Sequence, residues 1–262
     1  MYKRQVFTPP GKPLLAAAQT QAATIAGVPV TFATKELPTP VSRMDDGNPF
    51  KGGSRIKPTS RSTAFPVLSG STGYLLSAFH CDPTADQYVN NGNNTRQIAP
   101  GGSSVWGSQP IDSLVIDPAP SPATTPQIYT GSWDTNATAV VKNWASNWPN
   151  QYVCSDGATS GQNCGFITND NVWISGLSGA ATIEATASSG GGTMVAGGDS
   201  GGPVFAAASG GVQARGVIYA GSDNVACGST NPDVGPQSCY RNVYYVPISV
   251  VLRSWGYRLE VG

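Results

Sequence analysis

The sequence is poor in charged residues and contains a single histidine. Charged side chains make up 11% of the 262 residues, and 15 Lys and Arg balance 15 Asp and Glu, so the formal net charge is zero. Nucleic-acid affinity is built mainly from Lys and Arg contacts to phosphates, so this balance argues against a nucleic-acid partner. Because His80 stands alone, a metal site built from histidines is excluded, and we expect neither a metal nor a cofactor.

Long hydrophobic runs are also missing. No stretch approaches the roughly 18 apolar residues that a membrane-spanning helix needs, so we expect no membrane association.

The N-terminus lacks the pattern of a secretion signal, because Pro9, Pro10 and Pro13 interrupt the segment that would have to be apolar. Residues 1–5 (MYKRQ) resemble the translation of a transposon sequencing adaptor. We expect them to be an artefact, and the missing signal therefore says nothing about location.

Glycine and proline are frequent, with 32 and 21 residues. Together with short apolar segments between turn residues, they predict an all-β fold of many short strands. The clearest segments are 65–68 and 73–78, which predict a hairpin around 69–72.

Two further segments depart from this strand pattern. One helix is predicted at about 247–256, because apolar residues recur there at helical spacing and Gly256 follows. Residues 1–45, broken by several prolines, predict a tail that is a linker or the remnant of a pro-segment.

The five cysteines indicate an oxidising environment. Cys154 and Cys164, and likewise Cys227 and Cys239, flank polar loops rich in Gly, Ser and Asn, so we expect two local disulfides and an unpaired Cys81. Such pairs are typical of secreted proteins. The alternative, five reduced thiols in a cytosolic protein, is less favoured because these loops are too polar to be core.

The segment 197–203 (GGDSGGP) carries the clearest chemical signal. A serine flanked by glycines can occupy a tight exposed turn, where the backbone N–H groups of Ser200 and Gly198 converge as an oxyanion hole. Asp199 would point inward and hold the turn. The alternative is a glycine-rich turn without catalytic function.

A nucleophilic serine needs a base, and that base needs a carboxylate to fix its tautomer. The base can only be His80, which ends an apolar strand, and Asp112 begins another strand between His80 and Ser200. Asp117, five residues further on, is the competing carboxylate.

Four motifs in this order resemble those of chymotrypsin-fold serine proteases, on the bacterial streptogrisin and α-lytic protease branch. GDSGGP matches the nucleophile motif, SAFHC (77–81) resembles T-A-x-H-C, and IDSLVI (111–116) resembles D-x-A-L-I. Residues 154–165 resemble the loop C-x-x-G-x-x-T-G-x-x-C-G, with Ser160 where Thr is common.

The resemblance covers about residues 46–262 and implies a single protease domain. It implies two antiparallel six-stranded β-barrels, at about 50–118 and 135–246, followed by the C-terminal helix. It also implies a secreted serine endopeptidase with the triad His80, Asp112 and Ser200. We expect a monomer that acts on protein or peptide substrates. The alternatives are a catalytically silent homologue that serves as a secreted binding module, and an esterase.

The chain departs from the family at several positions. Members pair the cysteine after the catalytic histidine with one on the preceding strand, and that position here is Arg61. Met194 stands where the bacterial enzymes often have a cysteine, and Tyr219 stands where a serine commonly bonds the triad carboxylate. Phe79 replaces a Gly or Ala.

The substrate pocket is predicted from two segments, 193–197 and 219–221, neither of which contains an acid. We assign Met194, Tyr219, Ala220 and Gly221 to it. Cleavage after Lys or Arg would need a buried carboxylate, and Asp223 is the nearest candidate. We therefore expect cleavage after medium to large apolar residues such as Leu, Met, Phe or Tyr.

Overall fold

The computed structural model describes residues 4–8, 20–21, 24–26, 30–34, 42–85, 87, 89–118, 124–177, 179–188, 190, 192–235 and 237–262. The chain divides into two compact units, residues 1–40 and 41–262. In the smaller unit, strands β1 (Arg4–Thr8) and β2 (Val30–Thr34) pair in parallel. The division into a tail and a protease domain stays a prediction, although Arg43, which that prediction placed in the tail, belongs to the larger unit and is fully buried.

The larger unit consists mainly of short strands, as the turn-rich sequence predicts. They are β3 (Phe50–Gly52), β4 (Arg55–Lys57), β5 (Arg61–Ser62), β6 (Pro66–Ser69), β7 (Thr72–Ser77), β8 (Val89–Asn91), β9 (Gln97–Ala99), β10 (Val105–Ser108), β11 (Ser113–Ile116), β12 (Thr124–Tyr129), β13 (Thr138–Trp144), β14 (Tyr152–Gly157), β15 (Gly161–Val172), β16 (Thr182–Ala187), β17 (Val195–Ala196), β18 (Pro203–Ala208), β19 (Gly211–Val225), β20 (Cys239–Pro247) and β21 (Arg258–Leu259).

These strands form three sheets. One has the order β10-β11-β7-β6-β21, and a second has the order β5-β4-β8-β9. The third has ten strands in the order β17-β20-β16-β15-β14-β18-β19-β13-β12-β3. Most neighbours are antiparallel, and β6 and β7 form the hairpin predicted from the sequence. The all-β class is confirmed, whereas the division into two six-stranded barrels stays a prediction.

The predicted polar loop at 154–164 is an antiparallel hairpin. Cys154 and Cys164 lie opposite each other on β14 and β15 and form a disulfide. Gly161, the first residue of β15, has a φ of +70°, and an added Cβ there would lie 2.6 Å from the carbonyl oxygen of Gly131. Glycine is therefore required at this position, because both the backbone conformation and the space exclude a side chain.

The first sheet positions the residues that follow two of its strands. In β7 and β11, Leu76 pairs with Val115 and Ser77 with Leu114, and all four are buried. Full burial of each Leu or Val stabilises the fold by about 1.5–3 kcal/mol. This pairing places the C-terminal end of β7 beside the N-terminal end of β11, so that residues just beyond these ends can meet.

The predicted C-terminal helix is confirmed as α1 (Ile248–Trp255). Ile248, Val251 and Leu252 are its buried residues, and they form the apolar face that the sequence pattern predicts. Gly256 ends the helix in the left-handed conformation, with its N–H bonded to the carbonyls of Leu252 and Arg253. Short 3₁₀ helices lie at Phe79–Cys81, Gly102–Ser104, Gln109–Ile111 and Pro232–Val234.

Within the described part of the chain, no helix is long and apolar enough to cross a membrane.

Candidate active site

Asp112 holds His80 through both of its carboxylate oxygens. Oδ2 lies 2.8 Å from Nδ1 of the His80 ring, and Oδ1 accepts a hydrogen bond of 2.7 Å from the His80 backbone N–H. His80 lies in the 3₁₀ helix that follows β7, and Asp112 immediately precedes β11. The two contacts fix the ring orientation and favour the tautomer that carries its proton on Nδ1. Nε2 is then the ring nitrogen that can accept a proton.

Asp112 makes these two contacts from an uncommon backbone conformation. Its φ of +43° and ψ of +47° lie in the left-handed region, at the end of the 3₁₀ helix Gln109–Ile111. Aspartate tolerates this region better than most residues. The Asp112 side chain is 4% exposed, whereas that of His80 is 40% exposed. The carboxylate is therefore shielded from water while the ring remains accessible.

The ring of His80 is more basic than a free histidine. Burial lowers its pKa, but hydrogen bonds to Asp112 and to the Cys81 thiol, with the charges of both groups, outweigh burial and raise the pKa of His80 to about 10. Tyr219 contacts the same ring edge-to-face at a centroid distance of 5.6 Å. Asp112 and Cys81 therefore favour the protonated imidazole, so the neutral ring that can accept a proton forms at alkaline pH.

Ser200 lies in the turn between β17 and β18. Gly198 and Gly201 on either side have φ values of +92° and +82°, which glycine adopts without strain. An added Cβ on Gly198 would lie 2.4 Å from the Thr159 hydroxyl oxygen, so no side chain fits there. The Ser200 carbonyl accepts a hydrogen bond of 3.0 Å from the N–H of Ser62. Glycine conformation and this contact together fix the turn.

Asp199 points inward and anchors the same turn. Its buried carboxylate accepts hydrogen bonds from the backbone N–H groups of Ala196 (2.7 Å), Thr159 (2.8 Å) and Ser160 (2.9 Å), and from the Ser160 hydroxyl (2.5 Å). Burial raises the pKa of Asp199 above its usual value, and these hydrogen bonds offset only part of that effect. The contacts tie the serine turn to the loop that the Cys154–Cys164 disulfide closes.

Two backbone donors of the turn remain available. The N–H groups of Gly197, Asp199 and Gly201 donate to the carbonyls of Ser238, Ala196 and Ile218. Among the described residues, the N–H groups of Gly198 and Ser200 donate to no protein carbonyl. Backbone donors are normally paired, so these two are available to an oxygen of a bound molecule.

Ser200 and His80 are not joined directly. No hydrogen bond connects the Ser200 hydroxyl with the His80 ring among the residues that the structure describes. The structure thus brings His80 and Asp112 together and presents Ser200 on its own turn. Bonds of this kind are often long before substrate binds, so their absence does not exclude catalysis.

Two cavities carry the predicted site residues. One, of about 260 Å³, is lined by Ser200, residues 195–197, Ile218, Ala220, Gly221 and Tyr240. The other, of about 400 Å³, is lined by His80 and Asp112 together with Phe79, Leu177 and Tyr219.

Three of the four predicted pocket residues line these cavities, and they do not share one. Ala220 and Gly221 line the cavity beside Ser200, while Tyr219 lines the cavity beside His80. Met194 lines neither cavity, because it is fully buried in an apolar cluster. Asp223, the candidate pocket acid, lies outside both linings, and Tyr240 is a lining residue that the sequence analysis did not name.

The remaining cysteines are arranged as the sequence predicts. Cys227 and Cys239 form the second disulfide, and Cys81 is free. Arg61 is 1% exposed and donates a hydrogen bond to the Cys81 carbonyl. Asp117, the competing carboxylate, forms no described bond to His80, and burial raises its pKa.

No protein-family model and no curated protein matches the sequence. Solved structures do match. A glutamic acid specific serine protease is 20% identical, with a TM-score of 0.57 over 79% of this chain and 98% of that one. Thermobifida fusca protease A is 23% identical, with a TM-score of 0.55 over 81% and 98%. Cellulomonas bogoriensis chymotrypsin is 21% identical, with a TM-score of 0.53 over 81% and 98%.

The chain has the chymotrypsin-like fold of bacterial serine proteases. At these identities the likeness establishes the fold, and the activity has to be argued from the site itself. In this chymotrypsin-like fold, His80 follows β7 and Asp112 precedes β11, and these two strands pair in one sheet. Ser200 belongs to a turn of another sheet.

Proposed function

We propose that the protein is a secreted serine endopeptidase that hydrolyses peptide bonds through an acyl-enzyme. The observation that carries the proposal is the double hydrogen bond from His80 to Asp112, which leaves Nε2 of a solvent-accessible ring as a base. The N–H groups of Gly198 and Ser200, which donate to no carbonyl in the described part of the chain, support it, since they suit a negatively charged oxygen.

In the first half of the reaction, the Ser200 hydroxyl oxygen attacks the carbonyl carbon of the substrate. Nε2 of His80 takes the hydroxyl proton, and Asp112 stabilises the imidazolium that forms. The carbonyl oxygen becomes an oxyanion and accepts hydrogen bonds from Gly198 and Ser200. His80 then returns the proton to the leaving amine, the carbon–nitrogen bond breaks, and the acyl group remains on Ser200.

The second half repeats these steps with water. His80 takes a proton from the water, whose oxygen attacks the acyl carbon, and the same two N–H groups hold the oxyanion. The bond to Ser200 then breaks, and the proton on His80 restores the hydroxyl. The chain's own residues supply every group in this cycle, so no cofactor or metal is required.

The proposal includes a substrate class and a location. We infer a monomeric enzyme that acts on proteins or peptides outside the cell, a setting in which the Cys154–Cys164 and Cys227–Cys239 disulfides are stable. The glutamic acid specific relative is described as using a histidine triad in substrate binding. With His80 as its one histidine, this chain cannot reproduce that arrangement.

Labelling with a fluorophosphonate tests the proposal. The probe should modify Ser200 in the parent protein, as peptide mapping by mass spectrometry would show, and the parent should cleave a mixed peptide library. Ser200→Ala should lose both labelling and cleavage. Ser249→Ala is the matched control, because Ser249 lies on α1 and lines neither site cavity, so it should behave as the parent does.

The possible outcomes separate the alternatives. Absence of labelling and of cleavage in the folded parent would favour the silent binding module. Labelling with hydrolysis of small esters but not of peptides would favour an esterase. Cleavage that survives in Ser200→Ala would show that the serine assignment is wrong.

A further inference from the structure

Of the five cysteines, Cys81 is the one that remains a free thiol. The other four form the pairs Cys154–Cys164 and Cys227–Cys239. Cys81 is partly exposed, and it directly follows His80 in the 3₁₀ helix Phe79–Cys81. Any reaction of a free thiol in this protein therefore takes place beside the proposed catalytic base.

The side chain of Arg61 reaches Cys81 from the interior. Arg61 is 1% exposed, and its Nη1 donates a hydrogen bond to the Cys81 carbonyl oxygen. Its Nε and Nη2 are buried without a hydrogen-bond partner among the described residues. Buried polar groups are normally paired, so these two donors are available to an oxygen atom that comes within reach.

The Cys81 thiol lies close to two groups that can carry positive charge. Burial lowers the pKa of Arg61, and the charge of Cys81 makes the largest contribution in the opposite direction. The same thiol is among the groups that outweigh burial and raise the pKa of His80 to about 10. Neighbouring cations favour the thiolate, which is the form of cysteine that reacts with oxidants.

The neighbouring acid, Asp82, is engaged within its own turn. Its Oδ1 accepts hydrogen bonds from the Thr84 hydroxyl (3.0 Å) and the Ala85 N–H (3.1 Å), and its Oδ2 accepts one from the Gln87 N–H (3.2 Å). Asp82 therefore does not satisfy Nε and Nη2 of Arg61, which stay available to another acceptor.

We propose that Cys81 is an oxidation site, at which hydrogen peroxide converts the thiol to a sulfenic acid whose oxygen accepts hydrogen bonds from the unpaired donors of Arg61. A sulfur lone pair attacks one peroxide oxygen, and the S–O bond forms as the O–O bond breaks. The second oxygen leaves as water with the thiol proton. Sulfur loses two electrons, and the peroxide gains them.

The oxidised sulfur has no second thiol in the chain with which to react. A sulfenic acid can condense with a thiol to a disulfide, but the other four cysteines already form disulfides. An external thiol restores Cys81, because two such thiols join in a disulfide and the oxygen leaves as water. The oxidation is therefore reversible by a small thiol.

Oxidation at this position should slow the proposed peptidase. This consequence rests on the proposed function, whereas the oxidation itself does not. A sulfenic acid is a stronger acid than a thiol, so its anion places negative charge beside His80 at a lower pH. That charge favours the protonated ring, which cannot take the Ser200 proton.

Dimedone, which reacts with sulfenic acids but not with thiols or disulfides, tests the proposal. The full chain is treated with hydrogen peroxide and dimedone, and peptide mapping by mass spectrometry locates the adduct. We expect it on Cys81 in the parent, and no adduct in Cys81→Ser. Without dimedone, a stoichiometric amount of dithiothreitol should remove the added oxygen. A parent that forms no adduct, or an oxidised Cys81 that dithiothreitol does not restore, would overturn the proposal.

Two arginine variants test the role of Arg61. Arg61→Met keeps a long side chain but removes the donors. It should lower the rate at which peroxide consumes the Cys81 thiol at least about 10-fold, the factor that one hydrogen bond to a charged group contributes. Arg253→Met is the matched control, because Arg253 is exposed on α1, and it should react at the parent rate.

A second variant keeps this test decisive if Arg61→Met fails to fold. Arg61→Lys retains the positive charge without the planar set of donors, and it should also react more slowly than the parent. A rate within about 2-fold of the parent in the variant that folds would show that the donors of Arg61 do not hold the oxygen.

Fluorophosphonate labelling of Ser200 separates this inference from the proposed function. Peroxide should slow the labelling of the parent, dithiothreitol should restore it, and Cys81→Ser should be insensitive to both. Labelling that stays unchanged in a parent with oxidised Cys81 would overturn the consequence for the site. If the folded parent is never labelled, the proposed function fails, while a dimedone adduct on Cys81 would still support the oxidation site.

Discussion

The guanidinium of Arg61 donates a hydrogen bond to the carbonyl oxygen of Cys81. The family resemblance places a cysteine at position 61, paired with Cys81 in a disulfide. Here a noncovalent contact joins the same two positions. This contact leaves part of the guanidinium unsatisfied, because Nε and Nη2 of Arg61 are buried without a hydrogen-bond partner among the described residues. Burial lowers the pKa of Arg61 below its usual value, and the nearby groups Cys81 and Asp82 offset only part of that effect.

Arg61→Cys should therefore restore a covalent link. We expect a third disulfide with Cys81 in protein refolded under oxidising conditions, and a gain in unfolding free energy of about 3 kcal/mol for a loop of this length. Mass spectrometry of the unreduced protein and urea unfolding measure the two effects. Arg61→Ser, which cannot form the link, is the control and should be no more stable than the parent.

The contact between Asp112 and His80 predicts a large kinetic effect. Asp112→Asn should lower kcat by about 10⁴ near neutral pH, because the amide favours the wrong imidazole tautomer. The matched control is Asp117→Asn, since Asp117 forms no described bond to His80. Hydrolysis of a fixed peptide by both variants decides between the carboxylates. A severe loss in Asp117→Asn with an active Asp112→Asn would contradict the assignment.

Local features of the sequence predicted much of the fold. The β6–β7 hairpin and α1 depend on residues close together in the chain, so their patterns are visible without tertiary information. The two disulfides close loops of 10 and 12 residues and are also local. His80 and Asp112 were recognisable from short motifs, although their catalytic role remains a prediction.

Features that depend on distant pairings could not be predicted in this way. Arg43 and Asp156, a fully buried ion pair, are 113 positions apart and carry no local signal. Tyr240 reaches the cavity only because β20 pairs with β17 and β19, which no motif announces. Tyr219 and Met194 were assigned to the pocket from their neighbours in sequence, but Tyr219 lines the cavity beside His80 and Met194 is packed in an apolar cluster.

The raised pKa of His80 predicts an alkaline pH profile. Its value of about 10 means that the ring is mostly protonated at pH 7, and only the neutral ring can take the Ser200 proton. We expect kcat/KM to increase with pH through an inflexion well above the usual value of about 6.5. Cys81→Ala should lower the inflexion, because the thiol contributes to the shift. A parent inflexion near 6.5 would contradict this expectation.

The raised pKa of His80 also makes the free energy of unfolding depend on pH. A histidine whose folded-state pKa is raised stabilises the fold through its protonated form. This contribution is complete below the unfolded value of about 6.5 and is lost as the pH rises through about 10. Urea unfolding of the parent and of His80→Gln between pH 6 and 11 measures it, and the stability difference between them should shrink over this range. A difference that stays constant would show that His80 does not titrate as described.

The last prediction concerns Asp199, whose carboxylate accepts three backbone N–H groups and the Ser160 hydroxyl. Asp199→Asn replaces one acceptor oxygen with an NH₂ group, which would face donors in a buried site. An unsatisfied buried polar group costs about 1–3 kcal/mol, and bonds to charged groups lie at the upper end of that range. We expect this loss of stability in urea unfolding, together with slower fluorophosphonate labelling of Ser200, because the turn is no longer anchored.

Asp134→Asn is the matched control, since Asp134 lies in a surface turn and bonds only the nearby Ser132 hydroxyl among the described contacts. Labelling of Asp199→Asn at the parent rate would show that the serine turn keeps its shape without the carboxylate.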